Sequence, residues 1–360
     1  MTTQTVISVD AMGGDNGPIP IIAGLNRAAK YDPDLYFLLH GDESTLSRLI
    51  AKRRRLRDRV EIIHAESVIS MEEKPSRALR AGRDSSMWSA LQAVSDGRAR
   101  VALSAGNTGA IVALAMAALR RAPGVHRPAI AVHWPASRDE GFNVALDMGA
   151  DVKADGKSLV QFAVMGAEYA RLAFGHARPR VGLLNVGSEE MKGRPELHEA
   201  REILDATRSD PAVSFDFLGF VEGNDIPSDR VEVIVTDGFT GNISMKAAEG
   251  IARFIRNSLK DAFTHTPLSR LGALFALTSL RRLRMRIDPR RVNGGVFLGL
   301  NGGVVKSHGS ADAVGHAAAV QLAAKMAIDD FPARVAQQLA KLDIERLSQV
   351  STSTGGASGT

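Results

Sequence analysis

A chain of 360 residues that is 44% hydrophobic and 24% charged can bury a large core, and its length allows two or three domains. The absence of cysteine excludes disulfides, thiolate metal sites and an acyl relay through sulfur, and 5% aromatic residues argue against base-stacking platforms for nucleic acid. With a net charge of only +5, no apolar leader, and no run near the roughly 18 apolar residues of a membrane span, a cytoplasmic protein is expected.

In chain order, Thr5–Val9 is a β-branched strand, and Pro18 suits the first turn of the helix that follows. Leu35–Leu39, Val60–Ile63 and Val101–Leu103 read as further strands with helical stretches between them, and Asn107–Arg120 as an Ala/Leu-rich helix. Ala129–Val132 and Asn143–Leu146 read as strands close in sequence and open to an antiparallel placement. Lys157–Phe174 reads as a helix, Val181–Leu184 as a strand and Arg194–Ala206 as a helix. Val213–Leu218 and Val231–Thr236 follow as strands. Ile243–Phe263 is a long helix and Leu268–Ile287 a second, broken only at Gly272. Phe297–Leu300 and Gly303–Val305 supply late strands, and Ala311–Ile328 and Ala333–Leu347 the closing helices. Residues 351–360 hold only Ser, Thr, Gly and Ala and are expected to be a disordered tail. Strands alternating with helices predict a three-layer α/β/α architecture with a mostly parallel sheet. No linker divides it, so a single α/β domain over 1–350 is expected, with a helical pair protruding near 254–291.

Six short apolar runs empty into loops of Gly, Asn, Asp, Ser and Thr: 10–15, 104–109, 147–150, 185–190, 237–242 and 306–310. Gly lets backbone approach an oxyanion closely, and the free N–H groups of a following helix point at it. One such loop has an equally good steric explanation. Their recurrence predicts a shared site for a small anion, phosphate above all, at the carboxyl ends of the strands. No Gly-x4-Gly-Lys-Ser/Thr and no Gly-x-Gly-x-x-Gly in the first turn is present, so neither a nucleotide triphosphate cradle nor a dinucleotide is expected.

The strongest local signal is Val304-Val-Lys-Ser-His-Gly-Ser310. Lys306 would neutralise phosphate, Ser307 and Gly309 would hold its oxygens, and His308 would orient it or move a proton. For a lone His, capping or packing is the bland alternative. Asn107 joins Lys306 and His308 as a catalytic candidate, while Gly13, Gly14, Ser104, Gly106, Thr108, Gly109, Asp237 and Asn242 complete the expected phosphate-binding set. Asp10, Asp15, Asp147, Glu189, Glu190, Glu222, Asp225 and Asp237 fall at strand ends, but no spacing defines a metal cage. Capping and loop bracing are expected of most of them, and no metal or cofactor is expected.

The segment Leu268–Arg291 places Leu271, Leu274 and Phe275 at mainly helical spacing beside Arg281, Arg282 and Arg284. It reads either as a helix packed on the body or a second subunit, or as a basic amphipathic surface for anionic lipid or an acidic partner. The run Lys52–Arg59 is a solvated face that would extend such a patch.

Val9-Asp-Ala-Met-Gly-Gly-Asp15, Glu72–Leu79 with Asp84-Ser-Ser-Met87, Ser104–Ala110, Leu146–Ala150 and Leu183–Gly187 together resemble one family. Gly219–Gly223, Asp237–Asn242 and Leu298–Gly302 running into Val304–Gly309 continue the match in order. The family is the phosphate acyltransferases of bacterial phospholipid synthesis, the PlsX family. Ser188 before Glu189 and Glu190, and Asp151 after Ala150, are mild departures. The resemblance implies transfer of a long acyl group from acyl carrier protein to inorganic phosphate, giving acyl phosphate. It also implies a fold like the isocitrate and isopropylmalate dehydrogenases, related to phosphate acetyltransferase, and a homodimer. The chemistry agrees: a thiol with a reference pKa near 8.5 leaves with little acid assistance. What remains is to bring two anions together and stabilise an oxyanion. Two alternatives stay open, a metal- and NAD-dependent dehydrogenase of the same fold, and a non-catalytic regulator binding acyl carrier protein or membrane.

Overall fold

The structure, a computed structural model, describes residues 4–342 apart from 140, 151–152, 209, 212, 281, 283–293 and 329. The first half runs β1 (Thr5–Asp10), α1 (Pro18–Ala28), β2 (Leu35–Gly41), α2 (Glu43–Ala51), β3 (Val60–His64), α3 (Pro75–Ala81), α4 (Ser86–Ser95), β4 (Val101–Ser104) and α5 (Thr108–Leu119). There follow β5 (Ala129–Pro135), β6 (Phe142–Leu146), α6 (Gly156–Phe174), β7 (Arg180–Leu184), α7 (Pro195–Ala206), β8 (Asp216–Val221) and β9 (Val233–Val235). The chain continues through α8 (Gly238–Thr264), α9 (Pro267–Phe275), β10 (Gly295–Leu298), β11 (Gly303–Lys306), α10 (Ala313–Ile328) and α11 (Phe331–Lys341).

Among the described residues, eleven strands join one sheet in the order β3-β2-β1-β4-β11-β10-β5-β6-β9-β7-β8. Side-chain alternation sorts the core into two layers. Ile7, Val9, Phe37, Leu39, Val101, Leu103 and Val305 belong to one apolar cluster with α1 and α10. Leu38, Ala102 and Val304 belong to the other, with Met87 and Leu91 of α4 and Ile111 and Leu114 of α5. Burial on both faces is why these strands read as continuous apolar runs. The expected three-layer α/β/α arrangement is present, and its sheet is mostly parallel.

Strand direction carries the main consequence for function. β10 is antiparallel to both β11 and β5, and β6 is antiparallel to β5. β9, β7 and β8 then run with β6. The carboxyl ends of β1, β4 and β11 therefore lie at one end of the sheet and those of β6, β7 and β9 at the other. The six loops do not converge on one spot, as the sequence alone suggested. They divide into two groups of three.

Several element boundaries differ from expectation: the helix expected from Ile243 begins at Gly238, the strand expected over Val231–Thr236 is Val233–Val235, and two further differences change the packing. The strand expected over Val213–Leu218 is β8, shifted towards the carboxyl end, pairing from Arg180↔Asp216 to Leu184↔Val221. Val213 and Phe215 are buried by packing rather than by pairing, and Gly219 at φ 83° accompanies an irregular register against β7. The helix expected over Leu268–Ile287 turns at Ala276 instead of Gly272; Gly272 stays helical and its carbonyl accepts the Ala276 N–H. Among its arginines, Arg282 is exposed, whereas Arg281, Arg284 and the 351–360 tail lie outside the described residues.

Beyond the sheet centre, Glu232 anchors the β6–β9–β7 side. It accepts bonds from Arg138 at 2.8 Å and from Arg180 at 2.6 Å, plus the Arg180 N–H at 2.6 Å. Burial alone would raise its pKa, but the two guanidinium groups and that N–H override it and hold the carboxyl at about 2. The folded pKa lies below the unfolded one, so this stabilisation is complete above roughly pH 4.5 and disappears as pH falls towards 2. Glu232→Gln is expected to cost about 3 kcal/mol at pH 7 by leaving buried arginine charge unpaired. Denaturant titrations at pH 7 and pH 3 check this, with the gap between variant and wild type narrowing at the lower pH.

Candidate active site

The first loop group meets at Asp10, which ends β1 and is 2% exposed. Its Oδ1 accepts the Ser86 hydroxyl and its Oδ2 the Ser104 hydroxyl, each at 2.7 Å, and the Met12 N–H reaches Oδ1 at 3.4 Å. Burial pushes this carboxyl above its ordinary pKa, and the serine hydroxyls oppose the shift. One buried acid thus ties α4, β4 and the first Gly loop together. The third loop clamps to the other two: the Ser307 N–H bonds the Ser104 carbonyl at 2.8 Å, and the Asp15 N–H the Gly309 carbonyl at 2.9 Å.

Gly13 is required by close approach. A Cβ there would sit 2.6 Å from Asp10 Oδ2 and 2.8 Å from the Gly106 nitrogen. Gly13→Ala is therefore expected to lose about 1–3 kcal/mol of stability and, by parting the first two loops, to weaken phosphate binding. Melting temperature and phosphate KM measured on one preparation check both effects.

Lys306 ends β11, and its ammonium donates to the carbonyls of Ala105 at 3.2 Å and Ser307 at 2.5 Å. Burial lowers its pKa to about 8, with the charges of Asp15 and Asp10 opposing. It is mainly protonated at pH 7 and loses its charge in mild alkali. Next along the loop, His308 is exposed, with Nδ1 3.0 Å from the Ser310 hydroxyl and 3.4 Å from the Ser310 N–H. Burial and the Lys306 charge lower its pKa below the ordinary value, and Glu249, Lys246 and Asp15 also act on it. A neutral ring whose Nδ1 accepts an N–H carries its proton on Nε2.

Ser307 departs from expectation. Successive residues at a strand end point to opposite faces. Lys306 turns to the loops, while the Ser307 hydroxyl is fully buried and lies 3.1 Å from Nδ1 of His316 on α10. The Ser307 backbone N–H, bonded to the Ser104 carbonyl, stays with the Gly loops. Asn107 also has a building role: Oδ1 caps α5 through the Ala110 N–H at 3.0 Å, and Nδ2 donates to the carbonyls of Met71 and Glu73 at 2.8 and 2.9 Å. It holds the 71–75 segment against the site, where Pro75 packs on Gly109 and Met71 on Gly309. Thr108 is exposed on the first turn of α5, where its N–H and that of Gly109 have no intrahelical acceptor.

Asp237 and Asn242 stand with the second group. The buried Asp237 carboxylate caps α8 through the Thr240 N–H at 3.0 Å and pairs with Arg194. Burial would raise its pKa, but the Thr240 and Arg194 bonds bring the net shift downwards. An ionised carboxylate repels phosphate, so Asp237 itself is an orienting group for Arg194. Asn242 is exposed on the first turn of α8, its side chain against Gly149. Asn185 braces the same end, its amide donating to the Lys192 carbonyl at 2.8 Å. The two groups are linked by α8, which Asp237 caps and which brings Lys246 and Glu249 to act on His308 roughly 14–18 Å along the helix.

Sequence reasoning overlooked Asp10 as a hub, and Ser86, Arg194 and Lys246 altogether. Ser86 had a signal, since it lies inside the Asp84-Ser-Ser-Met87 motif, whereas Arg194 and Lys246 had none. Among the described residues, no group of three or more His, Asp or Glu is placed to hold a metal ion.

The chain matches the family model described as fatty acid synthesis protein over residues 5–334. It is 57% identical to the phosphate acyltransferase of Jannaschia sp. (strain CCS1) over 94% of this chain and 93% of that one. Its fold is shared with a phosphotransacetylase from Streptococcus pyogenes, at TM-score 0.59 and 18% identity, covering 91% of this chain and 95% of the other. A 4-hydroxythreonine-4-phosphate dehydrogenase from Klebsiella pneumoniae also shares it, at TM-score 0.51 and 13% identity over 90% and 99%. The dehydrogenase-like architecture is thus present with Gly-rich loops at its strand ends, and the chain belongs to the phosphate acyltransferase family, a family of transferases.

Proposed function

We propose that the chain moves a long fatty acyl group from the thioester of acyl carrier protein to inorganic phosphate, giving acyl phosphate for phospholipid synthesis. One observation carries the reading: the half-buried Lys306 ammonium sits where three Gly loops and the first turn of α5 converge at one strand end. Phosphate fits this setting, with Lys306 meeting its charge and the backbone at Gly14, Thr108, Gly109 and Gly309 in reach of its oxygens, while the Gly106 N–H donates to Ser104 Oγ at 3.0 Å and the Gly13 N–H to Asp10, so these two shape the loops instead. A phosphate oxygen attacks the thioester carbonyl carbon, the carbon–sulfur bond breaks, and the thiolate leaves with its electron pair. His308 donates Nε2–H to the carbonyl oxygen as negative charge develops on it. Asn242 on α8, and Arg194 paired with Asp237 at the start of that helix, suit the phosphate of the carrier's prosthetic arm. Thiol release that requires phosphate, followed with purified acyl carrier thioester, tests the reading; release at the same rate in phosphate-free buffer would overturn it.

The far half of α8 and α9 form an exposed hairpin, and Phe254, Leu271, Leu274 and Phe275 are each at least half exposed. No described helix is long and apolar enough to cross a membrane. This apolar edge suits shallow, peripheral contact with an anionic membrane that receives the lipophilic product, in an otherwise cytoplasmic homodimer. Replacing Leu274 and Phe275 by Glu is expected to abolish sedimentation with anionic vesicles while turnover with soluble thioester persists. Dissociation of a dimer instead would make the hairpin a subunit interface.

A further inference from the structure

A second polar assembly hangs from α4 one turn beyond Ser86. His40 on β2 is 1% exposed and bonds the Ser89 hydroxyl through Nδ1 at 2.7 Å and the Ser8 hydroxyl through Nε2 at 2.9 Å. Ser8 on β1 gives its own proton to the Ala90 carbonyl at 2.8 Å, a group that only accepts. Ser8 Oγ must therefore accept from His40, which fixes the imidazole proton on Nε2. Burial, followed by the positive charge of Arg98, lowers the His40 pKa to about 4, so the ring is neutral at pH 7. Nδ1 is then a lone-pair acceptor, and Ser89 is the donor to it.

The Ser89 oxygen consequently keeps its lone pairs for another direction. Ser89 lines a cavity of about 310 Å³ together with His64, Ala65, Glu66, Arg83 and Asp84. Arg83, in the turn before α4, lies over the Trp88 ring of that helix at 5.5 Å, which keeps its guanidinium beside that cavity. A hydroxyl bonded to a neutral imidazole, with the imidazole oriented by a third group, is the geometry of an activated nucleophile. Neither the phosphate loops nor Lys306 takes part in it.

We propose that Ser89 is a nucleophile that accepts small activated acyl groups, such as acetyl from an acyl phosphate or an activated ester, with His40 as its base. Ser89 Oγ bonds to the acyl carbon, and the bond from that carbon to the leaving oxygen breaks with its electron pair. The Ser89 proton passes to His40 Nδ1 and then to the departing oxyanion, while Arg83 offsets charge on the carbonyl oxygen. The products are an ester on Ser89 and free phosphate or alcohol. The open cleft, lined by His64, Glu66, Arg83 and Asp84, suits an acetyl group and lacks the apolar walls that a long chain needs. Ser8, in the place a carboxylate takes in a hydrolase triad, supports the imidazolium only weakly, so one slow acylation per molecule is expected rather than turnover.

The test incubates the full chain with p-nitrophenyl acetate and maps the ester by peptide mass spectrometry. A dominant ester on Ser89 is expected, absent in Ser89→Ala and formed about 100-fold more slowly in His40→Asn. Phosphate-dependent acyl transfer should be unchanged in Ser89→Ala. Because His40→Asn disturbs a buried site, a second measurement uses the cysteine-free background. Ser89→Cys should react with iodoacetamide about tenfold faster than the sole thiol of Ser76→Cys on the exposed face of α3. Esters scattered over exposed serines, an equal rate in His40→Asn, or equal alkylation of the two thiols would each overturn the proposal.

Discussion

Lys306→Ala is expected to raise the phosphate KM by about 10- to 100-fold, the value of one charged hydrogen bond of roughly 1.5–3 kcal/mol. The fold should not suffer, because the substitution removes a buried cation whose pKa burial has lowered to about 8. Melting temperature should stay level or rise. The pH dependence has a definite sign. Wild-type Lys306 is charged below its pKa, so the ratio of variant to wild-type KM is largest near pH 7 and shrinks above pH 8. Taking the ratio removes the ionisation of phosphate itself, which both proteins share. Lys306→Arg, whose guanidinium does not titrate there, should show no such alkaline loss. A ratio independent of pH would show that another group holds the anion.

The second large effect belongs to His308. Removing a donor aimed at a developing oxyanion typically costs about 10²–10³ in kcat, and His308→Ala is expected to fall in that range with phosphate KM little changed. The ring is exposed and braced by Ser310 rather than packed in the core, so stability should be near normal. His308→Asn separates two roles. An amide donates a hydrogen bond but does not shuttle a proton, so partial recovery supports oxyanion stabilisation. If His308→Asn is as slow as His308→Ala, the ring moves a proton instead.

The layers of the fold were legible because parallel strands buried on both faces read as apolar runs, and Gly-rich turns marked their ends. Even the antiparallel pair β5–β6 could be suspected from its short connection. The reversal of direction across β10 could not, since it depends on which strands become neighbours rather than on any local pattern. That reversal is what sends Asp237 and Asn242 away from Lys306. The same limit explains the misread side chains. Ser307 was assigned by its company in the sequence, but His316, nine residues on, draws its hydroxyl inward. Asn107 was read as a catalytic candidate, and its Nδ2 partners are carbonyls at positions 71 and 73, on a segment that nothing in the local pattern links to it. Asp10 resembled any acid at a strand end until Ser86 and Ser104 were seen to converge on it.

The central claim is direct attack by phosphate on an acyl thioester at the Lys306 loops, and a single-turnover reaction tests it most directly. Protein in excess, acyl carrier protein thioester and saturating phosphate are mixed in the presence of a chelator, and the acyl product is identified. The account predicts acyl phosphate in amounts equal to the thioester consumed, with Lys306→Ala needing far more phosphate to reach the same yield. Free fatty acid formed at a rate indifferent to phosphate, or thioester left intact until a metal or nicotinamide cofactor is supplied, would contradict it.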